Sequence, residues 1–124
     1  DFGGSVQILP AHSPQDWAAL YAAAALVVHL GQPPAWGGAL TDALAAGKAL
    51  VAWEDAISTR RVGPAGYLTP PGDGRALGAA ISTLVVEPDM AEALAQRARE
   101  RSAAWHSQSF GARLIDAYRK IIAA

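Results

Sequence analysis

The sequence predicts an α/β domain built on a mainly parallel sheet, and three observations predict it. The runs Leu26-Val27-Val28 and Ala49-Leu50-Val51-Ala52 are continuously apolar, too short for core helices and without in/out alternation, which suits strands covered on both faces. Apolar runs alternate with segments of helical periodicity, so that strand, helix, strand, helix, strand up to Ala52 makes two successive right-handed crossover units. The chain has 124 residues, 52% of them hydrophobic, and a formal net charge of -1, enough for one buried core but not two.

The first predicted element is a strand at Val6-Gln7-Ile8-Leu9, entered without a start methionine, so that the chain reads as a piece of a longer polypeptide. Ser13-Pro14-Gln15-Asp16 opens a helix, with Ser13 as N-cap, Pro14 at the first helical position and Asp16 reaching back as in a capping box. Trp17, Leu20, Tyr21 and Ala24 then recur at helical spacing and predict one buried face. The next strand, near 25-30, leads into a Pro- and Gly-rich loop. Gly37 and Gly38 leave its backbone bare where a helix starts at Ala39, and Gly47 caps that helix at its far end. A helix start with bare amides is an anion site. A strand at 49-53, a short helix near Ser58-Thr59-Arg60-Arg61 and a strand at 66-69 follow. A proline-stiffened turn then brings Asp73 to cap a helix with Leu77, Ile81 and Leu84 on its apolar face. Pro88 breaks that helix. Asp89 and Glu92 form a second capping-box pattern, opening an arginine-rich helix to about Ala104 with Leu94 and Ala98 inward. Phe110, Leu114, Tyr118 and Ile121 line a last helix, expected to pack apart from the crossover helices.

Composition narrows the function classes. The charges are mixed and lysine is scarce, which gives no basic footprint for nucleic acid. The absence of cysteine removes disulfides, thiol nucleophiles and thiolate metal sites, and suits a reducing compartment. The longest apolar run, Leu20 to Leu30, is too short to span a bilayer, so the expected place is the cytoplasm or a membrane periphery. There is no Asp-x-Asp pair and no His/acid cluster at ligand spacing, so no metal site is expected.

The segment from Ala22 to Glu54 resembles the nucleotide-sugar-binding segment of the retaining GT-B ("group 1") glycosyltransferases. Their signature is a strand, a Glu-Gly-Phe-Gly loop, a Glu-Ala-Met-Ala helix start and a Gly-Thr-Pro-Val-Val strand. Asp42-Ala43-Leu44-Ala45-Ala46-Gly47 falls on the second acidic motif, and Lys48-Ala49-Leu50-Val51-Ala52 on the following strand. Upstream, Ile8 to Ala24 resembles the family's strand, loop and "Leu-Tyr-Ala-Ala-Ala" helix. Downstream, Gly66-Tyr67-Leu68-Thr69-Pro70-Pro71-Gly72-Asp73 resembles its "Gly-x-Leu-Val-x-Pro-Gly-Asp" turn. The resemblance implies a Rossmann-like, three-layer C-terminal donor-binding domain spanning 1-124 whose first strands lie outside this sequence. An exposed sheet edge, and with it self-association of the fragment, is the physical consequence.

The same resemblance implies roles for particular residues. Trp36, Gly37, Gly38, Ala39 and Leu40 would hold the donor diphosphate through backbone amides, with Trp36 either covering the sugar or simply packing. Asp42 would accept hydrogen bonds from the donor ribose; otherwise it merely complements the helix dipole. The nucleotide base would lie against the backbone of Leu9 and Pro10. His12 and His29 follow strand ends and so have a claim to ligand contact, the alternative being solvated imidazoles, while His106 reads as structural. Glu54 ends a strand at the same opening and could act as an acid or base. Arg60 and Arg61 could reach a phosphate, but read more readily as a solvated face. Pro34 stands where the family has its first acid, eight residues before Asp42, and so argues for altered donor recognition or lost catalysis.

The function implied is retaining, metal-independent glycosyl transfer from a nucleoside-diphosphate sugar, with no cofactor, the acceptor being held by a separate N-terminal domain. Two readings compete with it. One is a non-catalytic module of the same fold with an assembly or regulatory role, which Pro34 favours. The other is a nucleotide-sugar epimerase.

Overall fold

The computed structural model describes residues 6–10, 13–31, 38–105 and 107–124. In order these form α1 (Pro14–Ala23), β1 (Leu26–His29), α2 (Gly38–Ala45), β2 (Ala49–Trp53), α3 (Ala56–Arg61), a 3₁₀ turn (Gly63–Ala65), β3 (Tyr67–Thr69), α4 (Gly74–Val86), α5 (Pro88–Ser102), a second 3₁₀ turn (Ala103–Trp105) and α6 (Ser107–Ala123). The described strands make one sheet in the order β1-β2-β3, parallel throughout, with Val27 beside Leu50 and Ala52 beside Leu68. This is the α/β class with the parallel pairing that the alternation predicts.

The centre of the sheet carries the core. From Ala49 to Ala52 every residue of β2 is buried, and successive side chains serve opposite layers. Leu50 and Ala52 pack with Leu40, Ala43 and Leu44 of α2, with Val62 and Ala65, and with Ala98 of α5. Ala49 and Val51 pack on the other face with Ala80 and Leu84 of α4 and Leu94 of α5. α5 therefore contributes to both layers. Two-sided burial is why β2 reads as an unbroken apolar run. The apolar run of β1 predicts cover on both faces as well, but β1 is only partly buried and Val28 is exposed, because β1 is the edge strand of the described sheet.

Local signals place the helices. Ser13 and Asp16 form the reciprocal capping box of α1. Asp55 and Ser58 form another at α3, and the Asp73 carboxylate accepts from the Ala76 amide at the start of α4. Gly47 takes φ +63, a left-handed conformation; its amide and that of Lys48 donate to the carbonyls of Leu44 and Ala43, which terminates α2.

Three further expectations are corrected. Residues 6–10 form no strand; Val6 and Ile8 are exposed, because a strand needs a hydrogen-bonding neighbour and no described strand pairs with them. The apolar side of α1 is not buried either. Trp17 and Leu20 are exposed, and only Tyr21 packs against the core, since beyond β1 nothing among the described residues covers that side. The Asp89/Glu92 capping box does not form. Glu87 is the N-cap of α5 with no side-chain cap bond, Pro88 fills the first helical position, and Glu92 pairs instead with Arg99 one helical face along. Among the described residues no helix is long and apolar enough to cross a membrane. α6 packs chiefly on the 3₁₀ turn before it, apart from α2 and α3 as expected.

Candidate functional site

In a parallel β-α-β unit the helix starts where the preceding strand ends, so the C-terminal end of β1 and the first turn of α2 share one opening. The first amides of α2, on Gly38, Ala39 and Leu40, are free of intrahelical partners by their position in the helix. Gly38 is exposed, with open space where a Cβ would stand. Leu40 combines two roles: its side chain is buried in the core while its backbone belongs to the helix start, so the opening is anchored directly to the sheet.

Asp42 lies one turn further on and is exposed. It lines a groove of about 590 Å³ between α1 and α2, with Pro14, Trp17, Ala18 and Tyr21 on the opposite wall. The Tyr21 hydroxyl donates to the carbonyl of Ala39 at 3.5 Å, and its ring stands 6.3 Å from that of Trp17. Burial pushes the Tyr21 phenol above its ordinary pKa, and the negative charge of Asp42 adds to the effect. The Tyr21 phenol is thus harder to ionise than a free one, and it serves as a hydrogen-bond donor to the start of α2.

A second cavity, about 330 Å³, lies on the other side of Tyr21 and Trp17, bounded by Ala39 and by β1 up to His29. The half-buried imidazole of His29 folds back over Gly31, where a Cβ would come within 2.7 Å of the ring. Ala39, Asp42 and His29 are therefore gathered around one pair of aromatic side chains.

Other sequence candidates stand apart. Glu54 is exposed just beyond β2, where its amide donates to the Thr69 carbonyl, and it lines neither groove. Leu9 and Pro10 are exposed and likewise line neither. Arg61 is half-buried and donates to the Thr41 hydroxyl at 3.0 Å rather than forming a solvated face. His12, Pro34, Trp36, Gly37 and His106 lie outside the described residues. At the end of β2 the indole N–H of Trp53 is buried without a hydrogen-bond partner among the described residues. By strand alternation it stands on the face of Val51, opposite α2, and so outside the two grooves.

Sequence reasoning misses that Trp17 and Tyr21 line both grooves: their spacing speaks only of core, against which Tyr21 does also pack. The available signal was the phenol itself, a polar group on an otherwise apolar stripe that needs a partner when buried.

The chain is similar to known proteins in two comparisons. A family model described as "Glycosyl transferases group 1" matches residues 2–101. The solved structure of sucrose-phosphate synthase from Thermosynechococcus elongatus superposes with a TM-score of 0.72 at 28% sequence identity, over 87% of this chain and 28% of that one. The present chain thus spans less than a third of that structure's length. No curated protein matches it. With four-fifths of its length matched by the family model and its parallel sheet superposing on a sucrose-phosphate synthase, the chain belongs to the group 1 glycosyl transferases.

Proposed function

We propose that this chain is the donor-binding part of a glycosyltransferase that takes a nucleoside-diphosphate sugar and transfers the sugar with retention and without a metal ion. The observation that carries the reading is the juxtaposition of a bare helix start, at Gly38 to Leu40, with an exposed carboxylate one turn later, at Asp42. The amides and the helix dipole offer positive potential to a departing diphosphate, and the Asp42 carboxylate can accept two hydroxyl hydrogen bonds from a ribose. In transfer, the bond from the anomeric carbon to the diphosphate oxygen breaks, and charge builds on the leaving phosphate. Donors already aimed at that position stabilise the charge as it develops. The acceptor is held by a separate N-terminal domain, and that remaining polypeptide covers the open side of α1 and β1; without it the exposed edge drives self-association.

Calorimetry on the full-length protein with uridine, guanosine and adenosine diphosphates tests this. One of the three should bind, and Asp42→Ala should weaken it by roughly ten- to a hundred-fold, the loss of one charge-assisted hydrogen bond. A second reading is favoured by Pro34, which lacks the carboxylate that the family pattern has there. On that reading the module binds no donor, and failure of all three diphosphates would select it.

A further inference from the structure

The donor helix α2 is only eight residues long, yet side chains from three other elements bind it. Tyr21 of α1 donates to the Ala39 carbonyl, Arg61 of α3 to the Thr41 hydroxyl, and Arg99 of α5 to the Gly47 carbonyl just past its end. The middle tether is itself held. The guanidinium of Arg101 on α5 forks onto the carbonyls of Arg60 and Arg61, both at 2.6 Å, which are the orphan acceptors at the end of α3. Gly63 lies against that fork in a left-handed conformation, φ +49, which favours glycine there.

We propose that Arg61, steadied by Arg101, is a positioning residue for the donor site. Arg61 acts through Thr41, the residue beside Asp42 in sequence. The guanidinium is planar and presents its donors in a rigid fork, so the tether has one preferred geometry. A hydroxyl held at 3.0 Å in the first turns of α2 limits the rotation of the helix about its axis, and that rotation sets where the Asp42 carboxylate stands relative to the amides of Gly38 to Leu40. Burial of Leu40, Ala43 and Leu44 fixes the helix against the sheet but tolerates small rolls, because apolar contacts are not directional.

This inference rests on the donor reading, and the experiment separates the two. In the full-length protein, Thr41→Val removes the hydroxyl at nearly constant volume, and Arg61→Met removes the guanidinium while keeping the apolar stem. Each should weaken binding of the diphosphate that the wild type takes by about three- to ten-fold, with the unfolding midpoint changed little. Combining either with Asp42→Ala should add almost nothing, because the tether acts only through that carboxylate. Arg61→Lys should recover part of the loss. If the wild type binds no nucleoside diphosphate, the donor reading is what fails. If the wild type binds and Asp42→Ala weakens it, but Thr41→Val binds like the wild type or its effect multiplies that of Asp42→Ala, the positioning role is overturned.

Discussion

Helices α5 and α6 follow one another, are 15 and 17 residues long, and meet opposite fates. α5 is the more charged of the two, yet Leu94, Ala95 and Ala98 are buried and it packs on α2, β2, α4 and the turn before β3. Its arginines do not stand idle in solvent: Arg97, Arg99 and Arg101 donate to the carbonyls of Pro64, Gly47, and Arg60 with Arg61. α6 has the cleaner apolar stripe, but Phe110, Leu114, Tyr118 and Ile121 are all exposed. The difference teaches that an apolar stripe states which face of a helix avoids water, not whether a surface is present to receive it. α5 is received because alanines at 95 and 98 let its backbone approach closely, while its long basic side chains reach around to helix ends whose carbonyls need donors.

The largest expected effect comes from truncating one leucine on each helix. Leu94→Ala in α5 should cost about 2–4 kcal/mol, from lost transfer energy and the cavity left between sheet and helix, whereas Leu114→Ala in α6 should cost under about 0.5 kcal/mol. Urea unfolding of the isolated chain measures both. Equal costs would break the comparison and mean that α6 is covered.

Glycines sharpen the contrast at the next level. A Cβ on Gly66 would clash with Cγ1 of Val62 and lie 3.2 Å from the Leu50 carbonyl oxygen, so Gly66→Ala should destabilise by about 1–3 kcal/mol through overpacking. Gly111 in α6 faces open space, and Gly111→Ala should stabilise by about 0.5–1 kcal/mol through helix propensity. Opposite signs in thermal melts are the expected result.

The smallest effect is one of pH and concerns α1, which resembles α6 in its exposure but sends one side chain inward. The Tyr21 phenol titrates above its ordinary 10.0 in the folded state. Its contribution to stability is therefore fully present below about pH 10 and is lost as pH rises through the folded value. Denaturation between pH 8 and 11.5 should show a decline that is shallower in Tyr21→Phe. An unchanged slope would mean that the phenol is as wet as the rest of α1.

Much of the fold was legible because its signals are local. Ser13 with Asp16, Asp73 before its helix and Gly47 after α2 announce themselves through hydrogen bonds spanning three to five residues, and the apolar run of β2 states that both of its faces avoid water. The candidate site was half legible. Asp42 and the glycine-led helix start stand out by spacing and family pattern, but the spacing of Trp17 and Tyr21 speaks only of core, against which Tyr21 does pack while Trp17 is exposed. The spacing of Glu92 likewise suggests a cap, while in the fold it pairs with Arg99 seven residues on.

By itself, then, the sequence determined the α/β class, the parallel pairing of β1 to β3, the caps of α1 and α4 and the end of α2, because these follow from periodicities and caps that act over a few residues. Only the tertiary structure decided that residues 6–10 form no strand, that α1 presents aromatics to a groove beside Asp42, and that Arg61 and Arg101 tether α2. Those outcomes depend on which surfaces and acceptors meet across 20 to 40 residues of chain, where no local pattern records the partner.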